Sequence, residues 1–253
     1  KSSDIFRVNA PEGNDPLTGI PLVTNQLNPS VAMDADGDFV ITWQSEVTTF
    51  NGTTITDIYA RQFSPQAIIS EEKITFYDDG YSMPRTLPDG TNNPVQGVRP
   101  VGDQFKVNAF SNTYLTDPGI GMDRDGNFVI TWSTAYSNNT AGTGVYAKRY
   151  DRYGAALSDA FLVSHGDATQ TTQIHSTAAI SDDGYLAIAW THATDTNVNH
   201  VMLHGDLYVS IYAPGSTTPI QDWNRNSIIN DAFNASLDFD TNNRLLVTYT
   251  YNN

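Results

Sequence analysis

The sequence predicts an all-β fold, a β-propeller of four-stranded antiparallel blades. Three observations predict it. First, one eleven-residue phrase recurs four times: MDADGDFVITW at 33–43, MDRDGNFVITW at 122–132, ISDDGYLAIAW at 180–190 and FDTNNRLLVTY at 239–249. Second, the end of each copy alternates large and small residues, as a strand does. Third, three of the copies are followed by further strand-like pieces, but each unit spans too few residues to form a sandwich of ~100 residues by itself. Such units must bury each other's faces, which is the logic of a repeat fold.

The elements follow in order within each unit. The first strand is Ser30–Met33, Gly119–Met122, Thr177–Ile180 and Ser236–Phe239 in the four copies. An Asp-rich turn comes next. Gly37, Gly126, Gly184 and Asn243 share one slot in it, and Gly and Asn are the residues that best tolerate positive φ. In the second strand Phe39, Ile41 and Trp43 point one way, matched by Phe128, Ile130 and Trp132, by Leu186, Ile188 and Trp190, and by Leu245, Val247 and Tyr249. Val129, Thr131, Ala187 and Ala189 keep the opposite face small. Both faces are therefore expected to be buried. A third strand reads IYARQF (58–63), VYAKRY (145–150) and LYVSIY (207–212), with Tyr59, Tyr146 and Tyr208 aligned. A fourth reads FKVN (105–108), FLVS (161–164) and SIIN (227–230).

Trp43 and Trp132 are 89 residues apart, whereas the next two intervals are 58 and 59. An insertion near 65–102 accounts for the difference, and its KITFYDDGYSM is strand-like. The whole chain is thus expected to be one propeller-like domain, with units at about 28–109, 117–164, 175–230 and 234–253. FRVN (6–9), in the segment 5–9, has the character of a fourth strand standing before any first strand, and is expected to complete the last unit. That unit still lacks a third strand. A longer native chain, the insertion or a neighbouring molecule would each supply one, and the first is the reading adopted. The absence of an initial methionine also suggests a processed or excised piece.

Composition narrows the function. The net charge is −15, which opposes binding to phosphate backbones and anionic lipid heads. Nucleic acid and membrane insertion are not expected as partners. Asp (24) far exceeds Glu (4), which favours turns over helices. There is no cysteine, so disulfides, thiolate metal sites and cysteine nucleophiles are excluded. Abundant Asn, Thr, Ser, Gly and Tyr with little Lys suggest an extracellular or cell-surface location.

The pattern F-x-V-N, then P-x-V-A-M-D-x-D-G-x-F-V-I-T-W, then V-Y-A-x-R-Y-D-x-x-G resembles repeats of large secreted or cell-surface bacterial proteins. It covers Phe6–Phe63 and Phe105–Tyr153 well and weakens afterwards. The resemblance implies an exported propeller-like module with adhesion or surface-structure roles. It brings no catalytic residues.

Candidate sites come from the residues themselves. Asp34, Asp36 and Asp38, then Asp123, Asp125 and Asn127, open like a calcium loop. The twelfth position, an acidic bidentate ligand in an EF-hand, is Ser45 or Thr134 here. Turn capping by Asp is the preferred reading. No cofactor is implied, and calcium is the candidate ion. All five histidines, His165, His175, His192, His200 and His204, belong to the third unit, in or beside two connections on one face. They make a transition-metal site conceivable. Long loops on that face offer Phe50, Tyr114 and Tyr136 among amides and carboxylates, a mixture suited to sugar rings. Asn51, Asn138 and Asn234 stand in glycosylation sequons. Glu46 is the one Glu in a repeat, and Asp117 stands at the first strand of the second unit. Glycoside hydrolysis needs two carboxyls, and these two are a conceivable pair, although nothing in the sequence links them. Trp43 follows Gly37 by six residues where a sialidase Asp-box requires three. No nucleophile elbow, phosphate loop or HExxH is present.

The reading that follows is a non-enzymatic extracellular binding or adhesion module, its ligand on the loop-rich face. The expected partner is a surface glycan, a protein or copies of itself. One alternative is a structural subunit of a filament or surface layer, joined through the unfinished blade. A second is a carbohydrate-active propeller enzyme.

Overall fold

A computed structural model describes residues 8–9, 23–49, 52–67, 96–109, 114–135, 144–164, 172–196, 202–224 and 232–251. It is all-β among these residues and forms four antiparallel sheets. No helix is long and apolar enough to cross a membrane among them. The first sheet runs β1 (Val23–Met33), β2 (Phe39–Thr48), β3 (Thr54–Ala67) and β4 (Gln96–Pro100), with β5 (Phe105–Lys106) also on β3. The second runs β6 (Tyr114–Met122), β7 (Phe128–Ala135), β8 (Val145–Tyr150) and β9 (Phe161–Leu162). The third runs β10 (Thr172–Ile180), β11 (Leu186–Thr196), β12 (Met202–Tyr212) and β13 (Pro219–Asn224). The fourth holds β14 (Ala232–Phe239) and β15 (Leu245–Tyr251). Sheets stacked in sequence with their faces buried are the expected propeller architecture.

Several strands differ from the sequence-based limits. The first strand of every unit begins earlier than expected, because it continues through an irregularity described below. The fourth strand of the third sheet is Pro219–Asn224, whereas 227–230 lie outside the described residues. The insertion does provide a strand: β4 pairs with the far end of β3, Phe63 facing Pro100. KITFYDDGYSM lies outside the described residues. So does most of the leading strand, but the Val8 carbonyl accepts a 3.0 Å hydrogen bond from Arg61 Nη1 of the first sheet. The middle strands of the second and third sheets are buried on both faces, over 128–132 and 186–190, whereas β1 is open, with Val31 60% and Met33 61% exposed. The fourth differs, with Leu246 63% and Tyr249 40% exposed.

Apolar packing between successive sheets makes three separate cores. Between the second and third, Val129, Val145 and Val163 meet Leu186, Ile188 and Trp190. A cross-strand aromatic pair recurs in each of the first three sheets. Trp43 stacks on Tyr59, Trp132 on Tyr146 and Trp190 on Tyr208, at 6.2, 6.1 and 5.5 Å between centroids. Stacked rings of this kind add to plain area burial. Polar links cross the same seams. Arg149 Nη2 donates to the Ser216 carbonyl at 2.9 Å, and burial lowers the pKa of that guanidinium. Burial likewise pushes the Tyr150 and Tyr212 hydroxyls well above their ordinary range.

The shared turn behaves as predicted. Gly37, Gly126, Gly184 and Asn243 have φ of 88°, 88°, 83° and 58°. Gly154 repeats the device after β8, at φ 81°.

Candidate functional site

Each first strand contains a register break midway: between Leu27 and Ser30, Thr116 and Gly119, Ile174 and Thr177, and Phe233 and Ser236. At each break one residue is left-handed. These are Asn28 (φ 49°), Asp117 (φ 51°), His175 (φ 53°) and Asn234 (φ 53°). None is glycine. Asn, Asp and His are the side chains best tolerated in that region. A β-bulge re-aims a side chain out of the sheet's alternation and often borders a functional site.

The bulges also join neighbouring sheets. Ser176 Oγ, just after the third bulge, donates to Thr131 Oγ1 at 3.0 Å in the second sheet. Asn234 N donates to Thr191 Oγ1 at 3.3 Å in the third. Between the first and second sheets the link is made by side chains alone, and it reaches the two candidate carboxylates. Asn28 Nδ2 donates to Asp117 Oδ1 at 3.2 Å and to Gln44 Oε1 at 3.0 Å. Gln44 Nε2 donates to Glu46 Oε1 at 3.0 Å. Asn25 Nδ2 approaches Glu46 Oε2 at 3.5 Å, and Thr116 Oγ1 approaches Asp117 Oδ2 at 3.4 Å.

Glu46 and Asp117, unlinked in sequence, are thus bridged by two amides across a seam between sheets. Gln44 is the fixed part, only 4% exposed on β2. Asn28 is exposed and Asp117 half-buried, so the site is open to solvent on one side. Amide donors beside two carboxyls are also suited to sugar hydroxyls.

Asn28 and Gln44 were missed by sequence reasoning. A signal existed. Asn28, Asp117, His175 and Asn234 each stand five residues before the first residue of their copy of the phrase.

The other candidates are placed as follows. Phe50, Tyr136, His165 and His200 lie outside the described residues. Tyr114 begins β6 and His204 lies on β12, their side chains outside the description. His192 lies on β11 with its ring 5.8 Å from that of Tyr208, and its buried Nε2 has no hydrogen-bond partner. Among the described residues, no three His, Asp or Glu groups converge as a metal would need.

The acidic phrase acts as a set of turn caps. Asp34 Oδ1 accepts the Asp36 and Asp38 N–H groups, both at 2.9 Å. Asp123 Oδ1 accepts those of Asp125 and Asn127 at 3.0 and 2.8 Å, and its Oδ2 accepts Asn127 Nδ2 at 2.8 Å. Asp240 does the same in the fourth copy, where the Arg244 N–H, ahead of other causes, holds its carboxyl below the usual range. Asp36 and Asp125 are exposed in the same turns. EDTA is therefore expected to leave Tm within about 1 °C, because these carboxylates already serve the backbone. Asp123→Ala should cost about 2 kcal/mol in chemical denaturation, and Asp36→Ala less than about 0.5 kcal/mol. A large EDTA effect would restore calcium to the account.

No family model and no curated protein matches this chain. Solved structures do. An endo-arabinase from Bacteroides thetaiotaomicron aligns at 16% identity and a TM-score of 0.45, over 87% of this chain and 68% of its own. A family 117 glycoside hydrolase from Zobellia galactanivorans aligns at 11% identity and a TM-score of 0.47, over 96% and 71%. A Hadza microbial sialidase aligns at 13% and 0.44, over 84% of this chain and 39% of its own. Likenesses at this level assign no activity to this chain. The structures named here are carbohydrate-acting enzymes, not the non-enzymatic adhesion module expected from the sequence.

Proposed function

We propose that this chain is a carbohydrate-active propeller that hydrolyses a glycosidic bond, with Glu46 and Asp117 as its two carboxyls. One observation carries the reading: the Glu46–Gln44–Asn28–Asp117 chain of hydrogen bonds. Hydrolysis needs one carboxyl to protonate the leaving oxygen and another to activate water or attack carbon. A fixed bridge sets the distance between such groups, and positioning is a large share of catalysis. Gln44 and Asn28 are the positioning residues in this scheme. An exported location belongs to the same proposal and is supported by composition alone.

The test is reducing-end release from a panel of neutral and acidic plant, algal and bacterial polysaccharides. The proposal expects hydrolysis of at least one. A folded protein that releases no reducing ends from any of them counts against it.

A further inference from the structure

A cavity of about 380 Å³ opens between the first and second sheets, at their turn end. That size is in the range of small-ligand sites. Phe39 and Phe63, stacked at 5.1 Å between centroids, form part of its wall. It is separate from the carboxylate pair. Phe39 and Glu46 stand seven residues apart along β2, which is about 23 Å of strand at ~3.3 Å per residue.

The polar lining carries both signs of charge, from Asp34, Asp38 and Arg152. Asp34 spends Oδ1 on backbone N–H groups, and Asp38 Oδ1 accepts from Ser64 Oγ. Each carboxylate thus has a second oxygen to offer. Tyr153 joins them on a turn that the backbone fixes. Asp151 Oδ1 accepts the Tyr153 and Ala155 N–H groups at 2.9 and 2.8 Å. Gln62 Nε2, from the first sheet, donates to the Arg152 carbonyl at 3.0 Å. The Arg152 guanidinium lies 5.8 Å from the centre of the Tyr153 ring. That ring is 80% exposed, and Val101, also on the lining, is 59% exposed. The mouth is therefore open to solvent, and the ring is held firmly without serving a core.

We infer that this cavity binds a neutral sugar residue of a polysaccharide, with the Tyr153 ring as its stacking platform. The charges select the class. Arg152 opposes a metal cation beside Asp34 and Asp38. The two carboxylates, with a net charge of −15 behind them, oppose an anion beside Arg152. Hydroxyls donate to carboxylates and accept from a guanidinium, so a polyol satisfies both. A sugar ring adds an apolar face for the aromatic ring. Such a site holds a polysaccharide without cleaving it, at the end of the sheets away from Glu46. It requires no activity at Glu46 or Asp117.

The test is electrophoresis of the full chain through native gels that contain xylan, galactan, arabinan or mixed-linkage glucan, with polygalacturonate as the acidic comparison. The protein carries Glu46→Gln and Asp117→Asn, so that nothing is cleaved during the run. Retardation by at least one neutral gel is expected, and none by polygalacturonate. Adding Tyr153→Ala, at an exposed position that leaves the cores intact, should weaken the apparent affinity at least about tenfold. Adding Tyr153→Phe instead, which keeps the ring, should change it by less than about threefold. Retardation undiminished by Tyr153→Ala, stronger retardation by polygalacturonate, or free passage through every neutral gel would each overturn the inference. Retardation lost with Tyr153→Ala, in a chain whose wild type releases no reducing ends, would keep this site and remove the hydrolytic reading.

Discussion

Gly121→Ala is expected to lower stability by about 3 kcal/mol and Tm by on the order of 10 °C. A Cβ at Gly121 would lie 2.6 Å from the Ala178 carbonyl oxygen and 2.8 Å from its carbon. Both are backbone atoms of β10 in the adjoining sheet, so no side chain can swing aside. The second and third sheets would have to separate, and their shared core with them. Gly119 is held as closely, 2.4 Å from the Ser176 carbonyl oxygen. Gly102→Ala is the control, because nothing lies within 4 Å of its Cβ position. It should change stability by no more than about 0.5 kcal/mol. Thermal melts of the three proteins decide the point. Equal melts for Gly121→Ala and Gly102→Ala would mean that the sheets do not approach as described.

Asp117→Asn is expected to reduce glycoside hydrolysis by about 10³-fold with little change in folding. The substitution removes charge and almost nothing else. Asn adopts the left-handed backbone of this position as readily as Asp, and Asn28 and Asn234 already do so at the equivalent bulges. Its carbonyl oxygen can still accept the Asn28 amide, while its new N–H₂ can donate to Thr116 Oγ1. Asn28→Ala acts differently, since it leaves both carboxylates but removes the bridge. A fall of roughly 10–100-fold in kcat, smaller than that for Asp117→Asn, is the expected mark of a positioning residue. If both variants hydrolyse at the wild-type rate, the constellation is scaffold.

The scaffold was the legible part of the sequence. Alternation at Phe39, Ile41 and Trp43 marked a strand because one face of each sheet takes large side chains. The slot shared by Gly37 and Asn243 marked a turn because few residues hold positive φ. The bulges were hidden for the opposite reason. Asn28, Asp117 and His175 have no glycine to advertise a left-handed backbone, and a bulge interrupts the alternation by which strands are recognised. The first strands were therefore begun too late, at Ser30 and Gly119. The bridge between Glu46 and Asp117 was illegible for a further reason. It depends on two sheets meeting, and a pattern within one unit cannot show which of its polar residues face the next. The acidic phrase is legible as turn capping, the preferred reading, and Asp34 and Asp123 are committed to backbone N–H groups two and four residues ahead.

The most direct measurement compares wild-type and Glu46→Gln turnover on a polysaccharide that the wild type hydrolyses. Glu46 accepts hydrogen bonds from Gln44 and Asn25 at the surface end of β2, so the variant should melt within about 2 °C of the wild type. The account predicts a loss of at least about 10³-fold in kcat with the fold retained. Undiminished turnover by a folded Glu46→Gln protein would contradict it.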